Sequence, residues 1–137
     1  MEETFFKIEF IEELNLSHLT FQRKCTSDHF RLAYGQLVEL FHSKGHNNHI
    51  TDTSTMGVIG VVDQQWVKAN VVPNMRKFAD KTKKLNIALI LGNDIFATFA
   101  AKNIARNFLD KQNIDIHYFA GEAEAFDWFK EERTLAA

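Results

Sequence analysis

The densest cluster of chemically competent side chains is the run Thr51-Asp52-Thr53-Ser54-Thr55. A hydroxyl beside a carboxylate can accept a phosphoryl group and so gain about −1.5 to −2 of charge. The same residue types also close turns and cap helices, because their oxygens bond nearby backbone amides. His42, His46 and His49 follow one another at spacings of four and three. Three imidazoles could hold zinc, but this stretch crosses a helix end, a loop and a strand start, so the spacing fixes no common geometry. A solvated loop without metal is expected. His18, His29 and His117 are scattered, with no obvious Ser or Cys partner in sequence. Gly57 and Gly60 have neither the G-x-G-x-x-G spacing nor the lysine of a phosphate loop, and no cofactor is expected. Gly92-Asn93-Asp94 falls where open α/β folds place ligands, although a tight turn equally explains the glycine. Phe96, Phe99 and Phe108 could line an apolar ligand pocket, or simply fill the core at helical spacing. The lysines at 77, 81, 83 and 84 read as a solvated helix end that complements the helix dipole.

The elements that must position these groups follow from periodicity. Phe6, Ile8 and Phe10 alternate with charged residues, the signature of a half-buried strand. A second extended run covers about Leu14 to Arg23, and Glu12-Glu13 between them is the expected hairpin turn, though Gly and Pro are missing there. Thr26-Ser27-Asp28 offers N-cap oxygens to a helix whose apolar face is Phe30, Ala33, Tyr34, Leu37, Leu40 and Phe41, and which ends at Lys44-Gly45. A short strand from His49 to Thr53 is expected next. Asp63 should cap a further helix carrying Trp66, Val67, Val71, Met75 and Phe78. Pro73 lies inside it and should kink or restart it, because proline lacks the amide and clashes with the preceding turn. Leu85 to Leu91 is nearly all apolar and reads as a central strand covered on both faces, expected to be the most buried of the sheet. Asp94 should cap a helix bearing Phe96, Phe99 and Phe108. Ile114, Ile116 and Tyr118 alternate as a last strand, and Gly121-Glu122 opens a last helix with Phe126 and Phe129. The order β-β-α-β-α-β-α-β-α implies an α/β fold: a mostly parallel central sheet with an N-terminal antiparallel hairpin and four helices.

Composition narrows the function classes. The chain has 137 residues, 45% apolar and 25% charged, with 13 phenylalanines, enough to build one core without disulfides. No linker or repeat divides it, so residues 1–137 are read as a single domain. A net charge of −2 gives no electrostatic case for nucleic acid or anionic membrane. No apolar run reaches the ~18 residues of a membrane span. Met1 to Phe10 lacks the basic-then-apolar pattern of a secretory signal, and the single Cys25 suits a reducing compartment. A cytoplasmic location is expected.

The element order and three local stretches resemble the STAS domain superfamily, in its branch similar to sporulation anti-sigma-factor antagonists. One stretch is Ile50-Thr-Asp-Thr-Ser-Thr-Met-Gly-Val-Ile59. In the antagonists the matching place reads Asp-Ser-Ser-Gly-Leu-Gly-Val-Ile, and its second serine, matched here by Ser54, is phosphorylated by a kinase. The others are Asn86 to Gly92 followed by a helix, and Ile116-His-Tyr-Phe119 running into Ala123-Glu-Ala-Phe-Asp-Trp-Phe129. Thr55 stands where the antagonists have glycine, and the segment between Asp52 and Leu85 is longer than theirs. Both departures fit the STAS-like proteins of unassigned function, whose fold is similar to that of lipid-binding CRAL-TRIO-like domains. The resemblance implies a non-enzymatic regulatory or protein-interaction module, switched by phosphate at Asp52-Thr53-Ser54, whose partner is a protein, a second copy of the chain included. If it carries function, Asp52, Thr53 and Ser54 should stand exposed at one end of the sheet, beside the start of the next helix. A small apolar-ligand or lipid carrier is the alternative. An enzyme is not expected, because no acid–base pair or activated nucleophile assembles from sequence spacing.

Overall fold

The computed structural model describes residues 5–56, 60–91 and 113–136. Five strands form one mixed sheet in the order β1-β2-β3-β4-β5, so spatial order repeats chain order. The first pair is antiparallel and the other three are parallel.

The hairpin joins β1 (Phe6–Ile11) to β2 (Leu16–Phe21). It turns without Gly or Pro through a 3-10 turn, Glu12–Leu14, closed by Asn15 at φ 51. Asparagine tolerates this left-handed region better than most residues. The turn takes up Leu14 and Asn15, so β2 begins later than its sequence suggests.

Helix α1 (Ser27–Lys44) has a reciprocal cap in which histidine takes the place usually held by Glu or Gln. The Thr26 hydroxyl accepts from the His29 amide, and His29 Nδ1 accepts from the Thr26 amide. Gly45, at φ 60, ends the helix in the left-handed conformation that glycine adopts without strain. Phe30, Ala33, Tyr34, Leu37 and Phe41 form its buried face.

After β3 (Asn48–Asp52) the helical region comes in three parts: α2 (Val61–Trp66), a π-helical segment (Val67–Val71) and α3 (Val72–Phe78). Pro73 accounts for the break. It has no amide to offer the preceding turn, and the Val72 amide instead reaches back to the Val67 carbonyl, one residue further than in an α-helix. The expected N-cap role of Asp63 is not observed. Gly60 is the N-cap, and the Asp63 carboxylate is taken by α1, accepting from Ser27 Oγ at 2.8 Å and Arg31 Nε at 2.9 Å.

Strand β4 (Leu85–Ile90) lies between β3 and β5 (Ile114–Phe119). It is not the most buried strand: β2 hides five of its six residues and β4 four of six. The middle of the sheet is β3, a polar strand. Alternation sends Leu19, Phe21, Leu85 and Ile87 toward α1 and the π-α3 segment, where they form the larger core. Leu16, Ile50, Ala88 and Ile90 pack on the other face against Ala125 and Phe129 of α4 (Glu122–Ala136). No described helix is long and apolar enough to cross a membrane. The expected helix with Phe96, Phe99 and Phe108, and the glycines at 57 and 92, lie outside the described residues.

Candidate functional site at the end of the central strand

The parallel register brings the carboxyl ends of β2, β3 and β4 together, and Asp52-Thr53-Ser54 leaves the sheet at that edge. The three residues have different environments, contrary to the expectation that all are exposed. Thr53 is buried: its hydroxyl donates to the Ile90 carbonyl at 2.8 Å and its amide to the same oxygen at 2.9 Å, prolonging the β3–β4 ladder. Asp52 is also buried. Ser54 is exposed. Its hydroxyl and amide both donate to Asp52 Oδ1, at 2.6 and 3.0 Å, which forms an Asx turn around the carboxylate. Thr55 donates its hydroxyl to the Phe21 carbonyl.

Behind Ser54 lies a group of side chains far apart in sequence. Glu122, the first residue of α4, hydrogen-bonds to Asp52, and its Oε1 is 3.4 Å from His18 Nε2 on β2. Partial burial, and then the bond to Asp52, hold the Glu122 carboxyl above the usual carboxylate range. His18 is buried, packs edge-on against Phe126, and meets Thr20 Oγ1 at 3.2 Å and Glu9 Oε1 at 3.8 Å. The site therefore presents one exposed hydroxyl backed by two neighbouring carboxyls and an imidazole.

The three histidines of the 42–49 stretch separate completely. His42 is exposed, whereas His46 and His49 are buried, so the expected solvated loop is not what forms. His46 stacks on Phe41 with centroids 4.0 Å apart and meets the Phe10 ring edge-on. Neither of its ring nitrogens has a hydrogen-bond partner among the described residues, and burial pushes its pKa down to about 4, assisted by the Lys44 charge. His49 points into a polar row: Nδ1 meets Ser17 Oγ at 2.7 Å and Nε2 meets Thr51 Oγ1 at 2.5 Å. Burial, followed by the charges of His46 and His18, holds His49 well below its ordinary pKa and therefore neutral. No group of three or more His, Cys, Asp or Glu among the described residues could hold a metal ion.

Sequence spacing could not reveal that Ser17 faces His49 or that Glu122 faces Asp52. The first pair becomes visible once the β2–β3 register is known, since Ser17 and His49 are direct cross-strand neighbours. The second depends on where α4 docks, and no local signal encodes that. No family model matches the chain, nor does any curated protein or solved structure.

Proposed function

We propose that this protein is a regulatory, protein-interaction module of STAS type, and that Ser54 is the residue at which it is switched. The observation that carries this reading is the exposure of Ser54 on a buried Asp52–Thr53 base, its hydroxyl already donating to a carboxylate. A hydroxyl in that arrangement has an acceptor for its proton when the oxygen attacks a phosphoryl donor. Phosphorylation would remove the donor to Asp52 and place about −1.5 to −2 of charge beside Asp52 and Glu122. Repulsion from that carboxyl pair turns the phosphate outward, toward the arginines or free helix amides of a partner. The effect therefore falls on binding. The fold responds little, since exposed substitutions shift stability by only about ±0.5 kcal/mol.

The test is phosphopeptide mapping of protein purified from its own host, together with capture of partners by the parent, Ser54→Ala and Ser54→Asp. Phosphate should be found on Ser54 and not on Thr53. All three proteins should melt alike, and Ser54→Asp should gain or lose a captured protein. Identical captured sets, or phosphate on Thr53, would defeat the reading.

A further inference from the structure

A second place in the molecule has the features of a binding site, on the opposite face of β3 from Glu122. Between that face and the π-helical wall lies a cavity of about 50 Å³. Val67, Val71 and Met75 supply one side, and Tyr34, Thr51 and His49 supply the polar floor. Ligand sites commonly have this makeup of apolar walls with a few convergent polar groups. The wall that departs from α-helical winding is also the one that borders the space, and π-helical turns concentrate at functional sites.

The floor is a proton-conserving row. Ser17 bonds His49 and His49 bonds Thr51, and the Tyr34 phenol lines the cavity together with them. A neutral imidazole brings one N–H, and each hydroxyl brings one proton and two lone pairs. Two orientations follow. If Ser17 donates into the ring, Nε2–H donates to Thr51 and the Thr51 proton is left for the cavity. If the row runs the other way, Thr51 donates to Nε2 and Nδ1–H donates to Ser17, which leaves Thr51 an acceptor. The row can thus present either a donor or an acceptor at Thr51, which lines the cavity with Tyr34. No cavity-lining residue carries a formal charge.

We propose that this cavity binds a small uncharged molecule of a few heavy atoms, with one hydroxyl or carbonyl directed at Tyr34 and Thr51 and a short apolar body against Val67 and Val71. Size sets the limit. One water needs about 10–15 Å³ of such space, and a cavity of about 150 Å³ takes benzene. A space of about 50 Å³ suits a three-carbon alcohol or ketone and excludes an acyl chain. The proposal does not depend on Ser54 or on the STAS reading.

The test is methyl-detected NMR of the intact chain, titrated separately with 2-propanol and with xenon. The two probes are matched in being small, but only the alcohol can use the polar floor. The expected result is a saturable shift of the Val67, Val71 and Met75 methyls with both. Tyr34→Phe, which deletes a single oxygen, should weaken 2-propanol about threefold to tenfold, the loss of one hydrogen bond, and leave xenon unchanged. Val71→Ile, which adds one methylene to the space, should weaken both. Thermal melts confirm that each variant is folded before titration. If 2-propanol produces no saturable shift, or Tyr34→Phe leaves its affinity unchanged, the space is a packing void and the proposal fails.

Discussion

Replacing His46 with leucine should stabilise the domain, and more so as the pH falls. His46 is fully buried, and neither of its ring nitrogens is paired among the described residues. Burying an unpaired polar group costs about 1–3 kcal/mol on mutational scales. Leucine relieves that cost at similar volume but gives up the stack on Phe41, worth about 0.5–1.5 kcal/mol. A net gain of roughly 1 kcal/mol at pH 7 is expected. The pH dependence is more diagnostic. In the folded protein His46 titrates at about 4, against 6.5 ordinarily. Its folded pKa lies below its unfolded one, so between these values the unfolded chain takes up a proton that the native state refuses. Stability is therefore lost as pH falls from 6.5 toward 4 and levels off below that. At about 1.36 kcal/mol per pH unit, the parent should lose roughly 2.5 kcal/mol by pH 4.5 that His46→Leu keeps. Urea unfolding of both proteins at pH 7, 6, 5 and 4.5 measures this. Parallel stability curves would refute the assignment of His46 as a buried neutral imidazole. A less stable variant at pH 7 would mean that its nitrogens are satisfied in solution.

Three further outcomes are expected. Asn47→Ala should lower stability by about 2–4 kcal/mol in a chemical melt, because the buried amide both donates to and accepts from the Asp80 backbone, at 2.9 and 3.0 Å, and so ties the loop after α3 to β3. Ile90→Asp should fail to fold by circular dichroism, since a carboxylate at this 2% exposed position on the α4 face costs several kcal/mol against a total of about 5–15. A chelator should leave the thermal midpoint unchanged, and a fall of many degrees would show that the dispersed histidines bind metal after all.

The features that were legible in the sequence are local ones. The capped start of α1, its glycine stop and its apolar face depend on residues within a few positions of one another, and the consequence of Pro73 is equally local. Strand β3 was legible as a strand but not as the centre of the sheet. Asn48, His49, Thr51 and Asp52 read as surface residues, and they are accommodated inside by partners 32 to 70 positions away: Ser17 for His49, Asn86 and the Leu14 carbonyl for Asn48, and Glu122 for Asp52. Composition alone cannot distinguish a solvated polar strand from a buried one whose hydrogen bonds are made elsewhere in the chain. Asp63 shows the same limit in reverse, since its position suited a cap but Arg31 and Ser27 hold its carboxylate. At the candidate site the sequence located the hydroxyl run. Only the fold separates Ser54 from Thr53, by turning one to solvent and the other to the Ile90 carbonyl.

Because the five described strands lie side by side in the order in which they are made, none of them has to be inserted between two already paired. A chain leaving the ribosome can lay the sheet down in one direction, each new strand docking on the edge left by the one before. Synthesis proceeds N-terminus first at about 5–20 residues per second, slow enough for the hairpin and α1 to settle before β4 emerges. The same geometry determines how the sheet comes apart from its C-terminal end. Loss of β5 and α4 uncovers β4 and one face of the sheet but leaves the pairing of β1 through β4 uninterrupted.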